Sequence, residues 1–474
     1  MKYVVLVLWL ALLVSSCCKA PDRSPATPNV PAGASAGYVG CSYFLQTRAD
    51  DPDGDSLSFR FDWGDGDSAR WSSAVPSGDT VTACHEWSSA GTFHVRAQAR
   101  DRDGNLSSWS GSHVMTVTAA WTVALGGSGA DWGSSCQVTT DGGFIIAGCT
   151  KSDGAGERDG WLVRTDAMGS IIWSKTFGEQ GDDEFYSVQQ TADGGYVVTG
   201  YSSDDALWLV RTDAYGNTVW DRRFGGGAMS AEGRSVGQTA DGGFIVAGTW
   251  YSSSGGNNVY LLKTDANGDE EWSKTFYGPD ADKGACVQQT VDGGYIVVGT
   301  TASEGAGYSD VWLIKTTSAG VKEWSKTYGG SQEDEGTCVQ QTEDGGYVIA
   351  GMTGSYGAGR YDAWVIRTDP DGTELWNRTF GATWYDYANG VVQTPDGGFV
   401  VTGEYFTSER GSDLWLLKVD QSGSLVWERK FGGAEYDSGS SVELTQDGGY
   451  VVVGTTTTAG DQDVYLVRTG ADGE

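Results

Sequence analysis

The sequence predicts an all-β protein, and three observations lead to that fold class. The chain has 474 residues, of which 72 are Gly, and 12% of its residues are aromatic. Its aromatic and β-branched residues form short runs between clusters of Gly, Asp and Asn, as strands do between turns. From residue 120 onward a pattern returns every 48 to 52 residues, a period typical of a four-stranded propeller blade. We therefore expect a small β-sandwich followed by a seven-bladed β-propeller.

Residues 1–17 predict export. Lys2 is followed by an apolar stretch over residues 3–14 and then by small residues, a pattern typical of a secretory signal. The apolar stretch is too short to span a membrane as a helix. The end of this stretch, Val14-Ser15-Ser16-Cys17, resembles a bacterial lipobox. That resemblance implies cleavage before Cys17 and attachment of a lipid to it. We expect a protein of the cell surface or outer envelope that is anchored in the membrane by this lipid, or secreted if the lipobox is not used.

Residues 18–31 are rich in Pro, Ser, Ala and Thr and predict an extended linker. Residues 32–118 contain six or seven short alternating segments, which predict a small β-sandwich. The motifs FDWGDG at 61–66, HEW at 85–87 and GTF at 91–93 resemble those of the PKD domain, an Ig-like fold. The resemblance implies a spacer or adhesive module rather than a catalytic one.

Two acidic loops of this domain are candidate metal ligands. The segments DDPDGDS and RDRDGN alternate oxygen-bearing side chains around a Gly, which suits the oxygen-rich coordination of Ca²⁺. In an Ig-like strand order both loops lie at the same end of the sandwich. Calcium is therefore the one cofactor expected, and the alternative is that these residues only shape tight turns. The candidate ligands are Asp51, Asp53, Asp55, Asp101, Asp103 and Asn105.

Cysteine positions leave two alternatives open. Cys41 and Cys84 fall on segments that the PKD-like fold makes neighbouring strands, and an oxidising compartment would permit a disulfide between them. The alternative is two free thiols. Cys286 and Cys338 occupy matching positions in consecutive repeats and are expected to be small buried residues rather than partners.

Residues 119–474 contain seven copies of the repeat, and the copies are out of phase with the chain ends. The DGG motif recurs with its Asp at 141, 193, 241, 292, 344, 396 and 447. A Trp recurs at 121, 173, 220, 272, 324, 376 and 427, so Trp121 precedes the first DGG and no Trp follows the last. The segment around Trp121 is therefore expected to supply the fourth strand of the C-terminal blade. Such a strand exchange would close the ring and remove two exposed sheet edges.

The repeats, with segments such as DVWLIKT and EWSKTFG around DGG, resemble secreted bacterial and archaeal β-propeller repeat proteins. The resemblance implies a propeller over the whole array. The segment RTDAMGSIIW is also similar to a docking motif of quinoprotein propellers, but the sequence offers no dedicated quinone site.

The loops between second and third strands vary among the copies, and variation on a repeated scaffold indicates a recognition face. Aromatic side chains in these loops could stack on sugars or bind a peptide. The alternative is that they only pack within their own loops. The candidates are Trp250, Tyr251, Tyr308, Tyr356, Tyr361, Tyr405 and Phe406.

An acidic column stands ten residues before each DGG motif, apart from one copy. Side chains at such a position usually accept backbone N–H bonds, so we expect a structural role, and a ring that holds a cation is the alternative. The column consists of Asp131, Asp183, Asp282, Asp334, Asp386 and Asp437.

Charge and composition limit the classes of function that this chain could have. The formal net charge is −32, which argues against nucleic acid and anionic membrane surfaces as partners. His85, His94 and His113 all precede the repeats, so the propeller has no histidine base, and we expect a non-catalytic protein. The leading interpretation is a surface binding or adhesion protein for an extracellular glycan or protein. One alternative is a propeller enzyme that acts on extracellular polysaccharide as a lyase or hydrolase, and another is a structural protein of the cell envelope.

Overall fold

The computed structural model describes residues 22–38, 42–67, 70–87, 89, 91–118, 120–227, 230–251, 256–408, 411–458 and 460–474. Regular structure in these ranges consists of β-strands only, so the all-β prediction is confirmed. Within the same ranges no helix is long and apolar enough to cross a membrane. The export signal, Cys17 and Cys41 lie outside the described residues. The chain separates into two compact units, which divide after residue 118.

The first unit is a sandwich of two antiparallel sheets. Its strands are β1 (Ala32–Gly33), β2 (Ala36–Tyr38), β3 (Ser42–Arg48), β4 (Ser58–Asp62), β5 (Thr80–Glu86), β6 (Gly91–Arg100) and β7 (His113–Thr118). The sheets have the orders β1-β3-β5 and β2-β7-β6-β4. Trp63 and Trp87 are buried in its core with ring centroids 5.9 Å apart. These aromatics come from the same motifs that predicted the fold.

The segment that precedes β1 differs from the prediction. Residues 22–31, assigned from sequence to an extended linker, lie along the sandwich. The amides of Ala26 and Asn29 donate to the carbonyls of Asp50 and Arg48 at 3.0 and 2.9 Å. Pro25 and Pro28 belong to the same segment and are buried. The segment is extended, as its Pro-rich composition predicts, but hydrogen bonds to the sandwich fix it in place, so it is not a free linker.

The second unit contains seven four-stranded antiparallel sheets, one per repeat. Strand β8 (Trp121–Leu125) precedes the first of them. Sheets 1 to 3 comprise β9 (Asp131–Val138), β10 (Phe144–Thr150), β11 (Asp159–Thr165) and β12 (Ile171–Phe177); β13 (Glu184–Gln190), β14 (Tyr196–Ser202), β15 (Ala206–Thr212) and β16 (Thr218–Gly225); and β17 (Ala231–Gln238), β18 (Phe244–Tyr251), β19 (Asn257–Thr264) and β20 (Glu270–Phe276).

Sheets 4 to 7 follow the same plan. They comprise β21 (Asp282–Gln289), β22 (Tyr295–Thr301), β23 (Asp310–Thr316) and β24 (Lys322–Tyr328); β25 (Asp334–Gln341), β26 (Tyr347–Thr353), β27 (Asp362–Thr368) and β28 (Glu374–Phe380); β29 (Asp386–Gln393), β30 (Phe399–Ser408), β31 (Gly411–Val419) and β32 (Leu425–Phe431); and β33 (Asp437–Leu444), β34 (Tyr450–Thr458) and β35 (Asp461–Thr469), with β8 as the fourth strand. These repeated sheets are consistent with propeller blades.

Strand β8 pairs with β35 although the two lie at opposite ends of this unit. The register places Trp121 opposite Arg468 and Leu125 opposite Val464. Leu125 also belongs to an apolar cluster with Phe144 of sheet 1 and Val464 of sheet 7. Similar clusters join each of the other consecutive sheets.

Each fourth-strand Trp packs on the turn between the third and fourth strands of the next sheet. A Cβ added to Gly320 would lie 2.5 Å from the Trp272 ring, and the backbone there has a φ of +71°. Only Gly fits such a turn, because a side chain would strain the left-handed backbone and collide with the indole. Trp121 packs in the same way on Gly169 of sheet 1, and Trp427 packs on Gly473 of sheet 7.

A cation at the end of each third strand, buried in six of the seven sheets, pairs with the Asp of the DGG turn in the same sheet. Lys315 is 4% exposed and lies 2.9 Å from Asp292. Burial raises the pKa of Asp292, but hydrogen bonds from Thr290 and Lys315 outweigh burial and lower that pKa to about 2. The other pairs are Arg164–Asp141, Arg211–Asp193, Lys263–Asp241, Arg367–Asp344, Lys418–Asp396 and Arg468–Asp447. These charges therefore belong to the scaffold.

Candidate functional site

The first strand of every repeat sheet contains a β-bulge at the same place. In sheet 2, for example, the register skips Tyr186 between Phe185 and Ser187. A bulge leaves its extra residue unpaired and redirects the side chain, which is why bulges occur near functional sites. We call these seven residues the bulge ring. It consists of Ser134, Tyr186, Arg234, Ala285, Thr337, Asn389 and Ser440.

The bulge ring lines a central cavity of about 330 Å³ to which the first strands of all seven sheets contribute. A second cavity of about 440 Å³, the polar mouth, is lined in part by residues of this ring. It includes Tyr186, Glu232, Arg234, Lys283 and Glu335. The Arg234 guanidinium lies 4.2 Å from the centroid of the Tyr186 ring. It also donates two hydrogen bonds to Glu232, at 2.9 and 3.0 Å. This ring was not predicted from the sequence, although each first strand has one variable position in an otherwise regular pattern.

A third cavity, of about 320 Å³, is the aromatic cavity. It is lined by Tyr308, Gln332, Glu333, Gly354, Arg360, Tyr361 and Tyr385. Tyr361 and Tyr385 immediately precede the first residues of β27 and β29, so two neighbouring sheets hold them in place. Their ring centroids are 5.5 Å apart.

Polar groups fix the orientation of these two rings. Arg360 donates to the Tyr385 hydroxyl oxygen at 2.6 Å, and the Tyr361 hydroxyl donates to Glu333. The hydrogen bond to Glu333 raises the pKa of Tyr361 to about 12. Phe406 extends the aromatic surface, since its ring lies 6.0 Å from that of Tyr385. The cavity therefore combines flat apolar faces with one positive and one negative group.

Equivalent junctions between sheets carry different residues. A parallel bridge joins Tyr361 to Tyr385, and the equivalent bridge between sheets 1 and 2 joins Arg158 to Asp182. At that junction the two side chains form an ion pair at 3.0 Å. The corresponding bridge between sheets 4 and 5 joins Ser309 to Glu333. Since the backbone is the same and the chemistry is not, the aromatic pair is a departure from the scaffold rather than a requirement of it.

The predicted ligand-face aromatics divide into two groups. Tyr308, which is 72% exposed, and Tyr361 line the aromatic cavity, and Phe406 extends it. The others pack locally. Trp250 lies on Tyr260, Tyr251 is half-buried beside Glu232, Tyr356 donates to the Gly329 carbonyl, and Tyr405 lies on Trp415. Tyr385, Arg360 and Glu333 were missed, because only the tertiary structure brings them to this place.

The carboxylates of the acidic column accept hydrogen bonds from backbone amides. Each of its six carboxylates accepts a hydrogen bond from the amide four residues earlier, as Asp282 does from Gly278 at 2.8 Å and Asp386 does from Ala382 at 2.7 Å. The remaining bonds reach Asp131, Asp183, Asp334 and Asp437. This geometry agrees with the structural role expected from the sequence.

The two acidic loops of the first unit meet, with a residue that sequence analysis did not include. One carboxylate oxygen each of Asp22, Asp55 and Asp103 lie within 4.8 Å of one another. Burial and the charges of Asp103 and Asp101 raise the pKa of Asp22. Among the described residues, Asp51 Oδ2 is a buried oxygen without a hydrogen-bond partner. Three converging carboxylates and an unsatisfied oxygen nearby in the chain fit a hard cation such as Ca²⁺.

The other predicted ligands have local partners. Asp51 Oδ1 accepts from the amides of Asp53 and Asp55, and Asp101 Oδ1 accepts from those of Asp103 and Asn105. Both loops are thus shaped by Asx-type turns. Arg23 also donates to Asp53 at 2.9 Å. Asp51 and Asp101 therefore shape the turns, and Asp55 and Asp103 are the predicted ligands that converge with Asp22.

Cys84 carries a free thiol and is exposed. The register of β3 with β5 places it opposite Phe44. Its expected partner, Cys41, lies outside the described residues. The disulfide predicted between the two residues therefore stays a prediction.

Comparison with known proteins identifies the first unit. The family model described as PKD domain matches residues 29–114. The PKD domain of an M14-like peptidase from Thermoplasmatales archaeon SCGC AB-540-F20 is 33% identical, and the match covers 20% of this chain and 97% of that one with a TM-score of 0.19.

Two further matches involve the repeats or larger parts of the chain. The regulatory protein FlaEY of Caulobacter vibrioides (strain ATCC 19089 / CIP 103742 / CB 15) is 23% identical over an alignment of 241 residues, and the match covers 46% of this chain. The matched region spans 24% of FlaEY. Sqt1 from Chaetomium thermophilum is 13% identical and covers 71% of this chain and 83% of its own, with a TM-score of 0.43.

The PKD match suggests a cell-surface or extracellular protein. Its boundaries agree with the three motifs that predicted it from sequence. Residues 29–114 are therefore a PKD domain, which precedes the seven repeat sheets in this chain.

Proposed function

We propose that the protein is an exported, non-catalytic surface adhesion protein that binds an extracellular glycan in its aromatic cavity. The single observation that carries the proposal is the Tyr361–Tyr385 pair, which replaces an ion pair at an equivalent junction. Aromatic faces bind the apolar faces of sugar rings, while nearby charged groups hydrogen-bond to hydroxyls. Arg360 and Glu333 are placed to do so. The variable loops provide this surface, and the PKD domain acts as the spacer.

The proposal includes a seven-bladed propeller closed by strand exchange. Three features support it: the pairing of β8 with β35, the apolar cluster between sheets 7 and 1, and the contact of Trp121 with Gly169. A closed ring would keep the aromatic cavity rigid, because sheets 5 and 6 could not separate without breaking contacts around the ring.

The proposal also includes a lipid anchor at Cys17. The lipobox-like segment before this residue supports it. Expression of the full chain in a bacterial host, with Cys17→Ser as the comparison, tests it. We expect the wild type to partition into the detergent phase and the variant into the aqueous phase. Equal partitioning of the two proteins would contradict lipidation.

A glycan array tests the binding function. We expect the full chain to bind a subset of glycans and Tyr361→Ala to lose at least about tenfold in affinity, since stacking and burial of one aromatic ring contribute on the order of 1.5 kcal/mol. Tyr215→Ala is the matched control, because Tyr215 is 73% exposed and lies in a turn between the third and fourth strands of sheet 2. Equal losses in both variants, or no glycan bound by the wild type, would refute the proposal.

Calcium in the PKD domain is a separate part of the proposal. Asp22, Asp55 and Asp103 would hold the ion, whose two positive charges would offset the repulsion among these three carboxylates. The ion would fix the two loops and the segment around Asp22 together. Its role would be to stiffen the spacer.

A second candidate function is catalysis on an acidic polysaccharide, favoured by the polar mouth. Tyr186, Arg234 and Glu232 form an asymmetric cluster in an otherwise repeated ring. Burial raises the pKa of Glu335 in the same cavity, and acidic groups with raised pKa values in a cleft are candidate proton donors. Release of reducing ends or unsaturated products from uronate-containing polysaccharides, abolished in Tyr186→Phe, would favour this function over binding alone.

A further inference from the structure

One position in the first strands of the repeat sheets carries a hydroxyl or thiol in six of seven copies. It is the residue that follows the bulge ring and lines the central cavity. The residues at this position are Ser135, Ser187, Ser235, Cys286, Cys338, Gly390 and Ser441. The two cysteines are therefore neighbours in space, since sheets 4 and 5 are consecutive.

Side chains at this position reach the first strand of the next sheet. Ser235 Oγ accepts a hydrogen bond from the Val287 amide at 3.2 Å and lies 4.0 Å from Cys286 Sγ. Ser187 makes the equivalent bond to the Val236 amide, also at 3.2 Å. In these copies the side chain thus reaches the backbone of the residue that follows its counterpart in the next sheet.

Cys286 and Cys338 follow this geometry. Cys286 Sγ lies 3.7 Å from the carbonyl oxygen of Val339, the residue after Cys338. The nearby Cys338 thiol lowers the pKa of Cys286, and Cys286 in turn raises the pKa of Cys338. Both are free thiols. Two neighbouring thiols of unequal acidity suit thiol–disulfide exchange, because the more acidic thiol supplies the attacking thiolate.

We propose that Cys286 and Cys338 form a redox-active dithiol that closes to a disulfide between sheets 4 and 5 by exchange with a small-molecule disulfide. The Cys286 thiolate attacks one sulfur of the reagent, whose S–S bond breaks and releases one thiol. The Cys338 thiol then loses its proton and attacks Cys286 Sγ, and the second reagent thiol leaves. The chain loses two electrons and two protons, and the reagent gains them.

The disulfide would tie together the sheets beside the aromatic cavity. Tyr308 lies in the loop of sheet 4 between β22 and β23, and Glu333 directly precedes β25 of sheet 5. A covalent bond between β21 and β25 would restrict relative motion of these two cavity walls. The oxidising compartment of an exported protein would favour the closed form. The proposal itself does not depend on the ligand or on export.

Peptide mapping of the full chain tests the proposal. The purified protein is reduced, freed of reductant, treated with hydroxyethyl disulfide, unfolded, alkylated and digested. We expect a linked pair of peptides that contain Cys286 and Cys338, with neither residue alkylated. We also expect the midpoint of thermal unfolding to rise by a few degrees on oxidation, because the cross-link constrains the unfolded chain.

Ser substitution provides matched controls, since Ser occupies the same position in four other repeats. Cys286→Ser and Cys338→Ser should fold, lack the linked peptides and show no rise on oxidation. Cys149→Ser, at a buried thiol of sheet 1, should retain both effects. Alkylation of Cys286 and Cys338 after unfolding would overturn the proposal. So would a stable mixed disulfide with the reagent, or linkage of either residue to another cysteine.

Discussion

Removal of the Leu125 side chain should loosen the last repeat sheet, although Leu125 lies more than three hundred residues before that sheet ends. Leu125 is 6% exposed and packs against Phe144 and Val464. Leu→Ala at buried sites costs about 2–5 kcal/mol, so we expect about 3 kcal/mol for Leu125→Ala. If β8 separates from β35 before the rest unfolds, amide exchange in β35 should accelerate by about 100-fold.

Hydrogen exchange followed by mass spectrometry measures this effect strand by strand. Ala124→Ser, at an exposed residue of the same strand, should leave the exchange of β35 unchanged. Phe276→Ala removes the equivalent side chain of β20, which belongs to sheet 3, and should accelerate exchange there and not in sheet 7. Unchanged exchange of β35 in Leu125→Ala, with a detectable loss of stability elsewhere, would refute the strand exchange.

Three further predictions follow from the scaffold and the acidic loops. Gly320→Ala should destabilise the protein more than Gly293→Ala in urea unfolding, because both glycines have positive φ values but only Gly320 has a neighbouring ring in the way. Equal losses would show that the Trp272 contact is unimportant. Acid should destabilise the wild type between about pH 4 and pH 2, because the folded pKa of Asp292 lies below its unfolded value and the stabilisation is lost as pH falls. Asp292→Asn should make the thermal midpoint depend less on pH in that window, and an unaltered slope would contradict the pairing with Lys315. Addition of Ca²⁺ should raise the thermal midpoint of the wild type, and Asp55→Asn with Asp103→Asn should abolish the rise while Asp53→Asn keeps it. A rise in all three proteins would place the ion elsewhere.

Much of the scaffold could be predicted because the same residues recur at the same positions in every repeat. The Trp, the DGG turn and the cation of the third strand recur at one spacing, so each contact is encoded seven times. Lys315 and Asp292 illustrate this, since their pairing follows from the same interval in every copy. The phase of Trp121 relative to the DGG motifs likewise predicted the fourth strand of the last sheet.

The candidate sites could be predicted only in part, because they depend on departures from the repeat. Tyr361 was identified as an exposed aromatic, but its partner Tyr385 belongs to the next sheet and was not. Asp22 was assigned to a linker, yet it joins two acidic loops of the domain. Cys41, the partner predicted for Cys84, lies outside the described residues, so their disulfide stays a prediction.

By itself the sequence determined the all-β class, the PKD domain and the number of repeats. These follow from local alternation, turn chemistry and a period that needs no knowledge of distance. Only the tertiary structure decided which variable residues meet, because contacts between sheets join positions that no local pattern connects. The aromatic cavity, the polar mouth and the approach of Cys286 to the strand that carries Cys338 all arise at such junctions.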